Sequence, residues 1–144
     1  MREILFRGKL LDNGEWVYGS FCMDAREQFN GLCGVDGFIR LYDKAKGKMQ
    51  TYEVDRETVG QYTGMKDKNG RRIFEGDICH NTRTGEIVSV KWHGTMAGYV
   101  LGKKRADNKH LSDFGELFRA YDKYEVIGNI HDNPESRKEE QGTV

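Results

Sequence analysis

The feature that most constrains this chain is an Asn-Gly dipeptide set between two short runs of apolar residues. Ile4 to Leu11 precedes Asn13-Gly14, and Trp16 to Phe21 follows it. Asn and Gly tolerate the positive φ that a two-residue type I′ turn demands, so such a sequence closes as a β-hairpin. Strands are expected near 3–10 and 15–21. Asn69-Gly70 marks another hairpin tip. The 144 residues include 18 glycines and one proline, a balance that favours tight turns over Pro-rich linkers.

The same grammar continues along the chain. Phe38 to Tyr42 and Met49 to Val54 read as a second hairpin around the polar stretch 43–48. Residues 55–60 read as a turn of helix or a connection, which sets a lobe boundary near 60. In the second half, Ile87, Ser89 and Lys91 alternate with Val88, Val90 and Trp92, as in a strand with one buried face. The segments 73–81, 84–93, 98–103 and 124–131 are expected to build a small half-closed barrel, with Trp92 and Ile127 buried. Leu111, Phe114, Leu117, Phe118 and Tyr121 fall at helical spacing behind Ser112, which predicts one short helix between 110 and 122. Residues 136–144 read as a flexible tail. The fold class is therefore mainly β: an N-terminal hairpin lobe over 1–60, a half-barrel lobe over 61–135, and one short helix.

Charge and cysteine content narrow the function classes. Lys plus Arg and Asp plus Glu are 23 each, so the chain is not a simple polycation that coats nucleic acid. No run approaches the length of a membrane span, and the start, Met1 to Arg7, lacks the apolar core of a signal peptide. Cys22, Cys33 and Cys79 are odd in number and show no C-x-x-C spacing, which argues against a disulfide framework and for the cytosol.

Motifs for chemistry are weak. Cys33, Cys79, His80, His93, His110 and His131 show no paired-ligand spacing, so no metal is expected. Asp67-x-Asn69-Gly70 begins like a calcium loop, but Arg71 stands where the next acid is needed. Glu75, Asp77 and Glu125 are the best acid–base candidates, yet Glu75-Gly76-Asp77 is also an ordinary turn into a strand. No nucleophile elbow, phosphate loop or dinucleotide fingerprint occurs, and no cofactor is implied.

A binding role has more to work with. Lys66, Lys68, Arg71 and Arg72 form one basic cluster, and Lys103, Lys104, Arg105 and Lys109 form another. Trp92, His93 and Tyr99 between them could stack on bases. A nucleic-acid surface is therefore expected to use Lys66, Lys68, Arg71, Arg72, Trp92, Lys103, Lys104 and Arg105 as one face.

Three stretches together resemble the YopX family, small proteins of unassigned activity encoded by bacteriophages and prophages. They are Met1 to Arg7, then Val59 to Gly70 running into Ile73-Phe74-Glu75-Gly76-Asp77-Ile78, and Tyr124 to Glu135. Cys79 and His131 depart from the family pattern, and 22–37 matches no part of it. The resemblance implies a β-rich fold with an SH3-like barrel component, a phage origin and no assignable catalytic residue. The resulting expectation is a non-enzymatic phage accessory protein that binds a partner in the bacterial cytoplasm. Two competitors are a nucleic-acid module of phage replication or expression, and an enzyme whose site forms between subunits. A hairpin lobe is marginal alone, so a homo-oligomer joined through 1–60 is expected.

Overall fold

The computed structural model describes residues 2–23, 37–94, 97–103, 111–112 and 123–132. It divides into two compact units, Met1–Tyr62 and Thr63–Val144. The strands are β1 (Phe6–Leu10), β2 (Trp16–Met23), β3 (Gly37–Asp43), β4 (Lys48–Lys66), β5 (Arg72–Phe74), β6 (Asp77–Asn81), β7 (Ile87–His93), β8 (Gly98–Lys103), β9 (Leu111–Ser112) and β10 (Tyr124–Asn129). The chain is mainly β, as its hairpin grammar requires, and a half-barrel-like arrangement fits it. Among the described residues no helix is long and apolar enough to cross a membrane.

The first unit is a ring of four antiparallel strands. β1 pairs with β2, β2 with β3, and β3 with β4. β4 then returns to β1 through Phe6↔Gln61 and Leu10↔Val54. A four-stranded ring encloses very little volume, so its inward positions must be small or tightly packed. Ile39 and Val54 are fully buried. A Cβ on Gly19 would collide with the carbonyl of Arg40, and one on Gly37 would enter the ring of Phe21. These glycines let neighbouring backbone and a bulky aromatic occupy the space a side chain would fill. The segment expected as a connection, 55–60, is instead part of the 19-residue strand β4. Its register against β1 shifts between Arg7 and Lys9. There Thr58 Oγ1 accepts from the Lys9 N–H at 2.9 Å and donates to the Asp55 carbonyl at 2.6 Å, so a side chain takes over lost ladder bonds.

The first turn corrects a sequence expectation. It is not a two-residue type I′ turn, because Asn13 does not adopt positive φ; only Gly14 does, at 72°. The Gly14 N–H donates to the Leu10 carbonyl, closing a loop over residues 11–14. The same closure recurs from Gly47 to Asp43 and from Gly85 to Asn81, each with glycine at positive φ. The reason lies in the side chains. Asp43 and Asn81, at the start of their loops, each accept backbone N–H groups two and three residues ahead, which holds the intervening residues in right-handed turn geometry, while Asn13, at the end of its loop, accepts the Glu15 N–H across Gly14.

The second unit contains a five-stranded sheet in the order β10-β6-β7-β8-β9. Its core comprises Ile73, Cys79, Val88, Val90, Leu101, Tyr124 and Val126, with Met65 and Tyr99 packed against it. The expected barrel segments do supply β6, β7, β8 and β10, but two core assignments fail. Trp92 and Ile127 are each 51% exposed. Trp92 lies near the end of β7, past the buried Val88 and Val90, and meets Tyr99 edge-on rather than entering the core. At Ile127 the β10 register slips, so that Val126 faces Cys79 and Gly128 faces Ile78. Ile127 follows buried Tyr124 and Val126 on the outer parity, with Glu125, and is the residue left unpaired at the bulge. Leu111–Ser112 form strand β9 where a helix was expected to begin, and the rest of that helix, 113–122, lies outside the described residues, as does the 136–144 tail.

Candidate binding surfaces and the motif side chains

The polar residues of the second and third motifs hold backbone. Asp67 is 4% exposed. Its Oδ1 accepts the N–H groups of Asn69 and Arg71 at 2.9 and 2.8 Å, and its Oδ2 accepts that of Val126 at 2.9 Å. One carboxylate thus closes the β4–β5 hairpin and pins it to the bulge of β10. The Lys68 N–H reinforces this by donating to the Tyr124 carbonyl at 3.0 Å. Asp77 Oδ2 accepts the Phe74 N–H at 2.7 Å, bracing the turn at Glu75-Gly76. Gly76 donates to the Val90 carbonyl and accepts from the Ile130 N–H, tying that turn to β7 and to the residue after β10. Asn129 Oδ1 accepts from His131 and Asp132, and its Nδ2 donates to Asp132 Oδ2. The calcium-like Asp67-x-Asn69-Gly70 sequence is therefore a turn whose acid serves the backbone.

The acid–base candidates do not converge. Asp77 follows the core-facing alternation of Cys79, whereas Glu125 stands opposite His80 on the other face of the sheet. His80 Nδ1 and Glu125 Oε1 lie 3.3 Å apart, with side chains 34% and 32% exposed, a cross-strand pair at the surface. Burial pushes the Cys79 thiol well above its ordinary range, and the carboxylates of Asp77 and Asp67 push it further, against a lowering influence from Arg71. A thiol so held is a small apolar core residue, not a nucleophile. Among the described residues no group of three or more His, Cys, Asp or Glu side chains could hold a metal ion.

Of the expected nucleic-acid face, Lys66, Lys68, Arg71 and Arg72 are exposed on the β4–β5 hairpin. Trp92 is exposed and packs edge-on against Tyr99, with ring centroids 5.2 Å apart. The Lys103 backbone pairs with Val88 at the end of β8. The side chains of Lys103 and His93, and all of Lys104, Arg105, Lys109, His110 and Cys33, lie outside what the structure describes.

The first unit carries surfaces that the sequence reading passed over. The Arg7 guanidinium sits 4.6 Å from the centre of the Trp16 ring and the Lys9 ammonium 5.5 Å from it. Lys9 is directly opposite Trp16, and Arg7 opposite Tyr18, so cross-strand pairing creates this stack. Arg7 is 4% exposed and belongs to the packing of the ring. Farther along the outer face, Tyr18, Tyr42 and Met49 are 46%, 56% and 50% exposed. Shared parity with Arg40 in 38–42, and with Thr51 and Glu53 in 49–54, was the signal that could have placed Tyr42 and Met49 outside.

A family model described as YopX protein matches residues 5–136. Comparison with curated proteins gives no match. Among solved structures, the chain is similar to protein EF1440 from Enterococcus faecalis, at 22% identity and a TM-score of 0.55, covering 94% of this chain and 99% of that one. That likeness is one of fold. The family match spans nearly the whole sequence, and the chain belongs to the YopX family.

Proposed function

We propose that this protein is a non-enzymatic accessory protein of a phage or prophage that acts by binding a partner in the cytoplasm of the bacterial host. One observation carries the reading: the polar motif side chains serve the backbone, while large apolar and aromatic side chains stand exposed. Asp67, Asp77 and Asn129 accept backbone N–H groups. Tyr18, Tyr42, Met49, Trp92 and Ile127 are each about half exposed. Exposed aromatic and Met side chains are the usual anchors of recognition surfaces. A homo-oligomer joined through residues 1–60 belongs to the same proposal. A pull-down from infected cells with nuclease-treated and untreated arms tests it, and specific capture in either arm is expected. Recovery of nothing beyond a tag control, together with turnover of a small molecule by the pure protein, would contradict it.

The exposed Trp92–Tyr99 pair supports a second reading, in which the partner is nucleic acid and Lys66, Lys68, Arg71 and Arg72 contribute charge. A salt-sensitive shift of random single-stranded DNA or RNA, weakened by Arg71→Ala with Arg72→Ala, is its expected mark.

A further inference from the structure

We infer that the outer face of the β3–β4 hairpin, in the first unit, is a platform for single-stranded nucleic acid, with Tyr42 and Tyr18 stacking on bases and Arg40, Lys44, Lys46 and Lys48 on the phosphates. The inference rests on the reading that the protein works by binding, and it names both partner and surface.

The geometry follows from register. Tyr42 stands directly opposite Met49, and Arg40 opposite Thr51 on one side and Ser20 on the other. Side chains two apart share a face, so Tyr18, Arg40 and Tyr42 point outward together from adjacent strands. The β2–β3 ladder ends at Ser20↔Arg40, and two residues beyond it on the two strands stand Tyr18 and Tyr42, both on the outer parity. Inward of them, Ile39 is fully buried, which fixes the strand's orientation. Two exposed aromatic rings on neighbouring strands are the arrangement on which a β-sheet stacks successive unpaired bases.

Charge selects the occupant. From Arg40 to Glu53 the chain carries four cations, Arg40, Lys44, Lys46 and Lys48, and two acids, Asp43 and Glu53, a local balance of 4 − 2 = +2 in a protein of net charge zero. Asp43, beside the lysines, does not oppose a ligand outright, because its Oδ1 accepts the N–H groups of Ala45 and Lys46 at 2.9 and 3.2 Å, and Glu53 stands at the far end of the face, opposite Phe38. The three lysines all lie at the exposed turn and the start of β4, beside the Tyr42–Met49 pair. Lysines on a turn meet a flexible polyanion without needing fixed bidentate geometry. An acidic peptide would share the charge but has no base for Tyr42 and Tyr18 to stack on, so the aromatic pair favours a nucleic acid.

The test is fluorescence anisotropy of the full chain with labelled oligo(dT), oligo(U) and poly-glutamate of similar length, over a salt series. Tyr42→Ala should weaken oligonucleotide binding at least fivefold or so, and Tyr42→Phe should restore it, since the ring face is what stacks. Lys44→Gln, Lys46→Gln and Lys48→Gln together should flatten the log–log salt slope by about 2. Thermal melts verify that each variant is folded. Oligonucleotide binding that ignores these changes but falls with Arg71→Ala and Arg72→Ala would move the site to the second unit and overturn the inference. Poly-glutamate binding that depends on Tyr42 more strongly than oligonucleotide binding does would overturn it too. No oligonucleotide binding, with a nuclease-resistant partner still captured from cells, would overturn this inference and leave the binding function standing.

Discussion

The two units solve the same problem, a small β core, by opposite means. The first closes its ladder, with β4 pairing back onto β1, and so leaves few backbone groups to satisfy in other ways. Its specificity lies in inward positions where no side chain fits, at Gly19 and Gly37. The second, among the described residues, has a five-stranded sheet with two ends and secures the neighbouring hairpin and turns with buried polar side chains, Asp67 above all. Closure makes steric demands and openness makes polar ones. The difference teaches where to look for function: in the second unit the motif carboxylates are already occupied, and in both units the exposed side chains are what remains for a partner.

Asp67→Ala should produce the largest loss. It strips three backbone N–H groups of a charged acceptor, in a site where water cannot replace it freely, at a cost of about 3 kcal/mol or more. Urea unfolding followed by Trp92 fluorescence, in a Trp16→Phe background, reads the second unit, since the only two tryptophans fall one in each unit. Gly19→Ala makes the complementary attack. The added methyl meets backbone that cannot swing away, and a penalty of about 1–3 kcal/mol is expected in the Trp16 signal of a Trp92→Phe protein. If both substitutions shifted both signals equally, the contrast between the units would collapse into one cooperative core.

Cys79 sharpens the comparison through pH. Burial raises its folded pKa above the ordinary thiol value of 9.0, so the folded protein resists an ionisation that the unfolded chain undergoes. That resistance costs nothing below about pH 9 and erodes stability as pH climbs above it. The urea midpoint of the second unit should therefore fall above pH 9, and Cys79→Ala should flatten that fall. In native protein a thiol reagent should reach half-buried Cys22 long before Cys79. The smallest effect belongs to His80→Gln. A cross-strand pair one-third exposed contributes under about 1 kcal/mol, so unfolding should change little and should lose its weak salt dependence.

Much of this architecture was legible in the residues, and the failures have physical causes. Alternation in 87–92 separates Val88 and Val90 from Ile87 and Lys91, but it fails at Ser89, which is fully buried on the opposite face at the centre of the sheet. It also fails at Trp92 because periodicity reports a face of the sheet and not how far the core extends along it. Ile127 was misread because Val126-Ile127 is a pair of adjacent apolar residues, of which only one can share the buried parity of Tyr124, and that one is Val126. Asn13-Gly14 promised a turn and delivered one, but Asn13 used its side chain to accept the Glu15 N–H instead of entering the left-handed region. The candidate surfaces were unequally visible: in the second unit the β4–β5 cations stood out as a cluster, whereas in the first Tyr18 and Tyr42 are 24 residues apart and share an outer face only through the β2–β3 pairing. Asp67 was recognisable as a turn cap, yet its bond to Val126, 59 residues away, is a tertiary fact.

The central claim is that the motif carboxylates are architecture and that the exposed side chains do the binding. Capture from infected cells by Asp67→Asn protein, compared with Tyr42→Ala and Trp92→Ala and carried out at a temperature where circular dichroism shows all three folded, tests it most directly. The account predicts that Asp67→Asn melts lower yet recovers the wild-type partner set, while loss of an exposed ring leaves the melt unchanged and depletes that set. A folded Asp67→Asn protein that captures nothing, beside ring variants that capture everything, would contradict it.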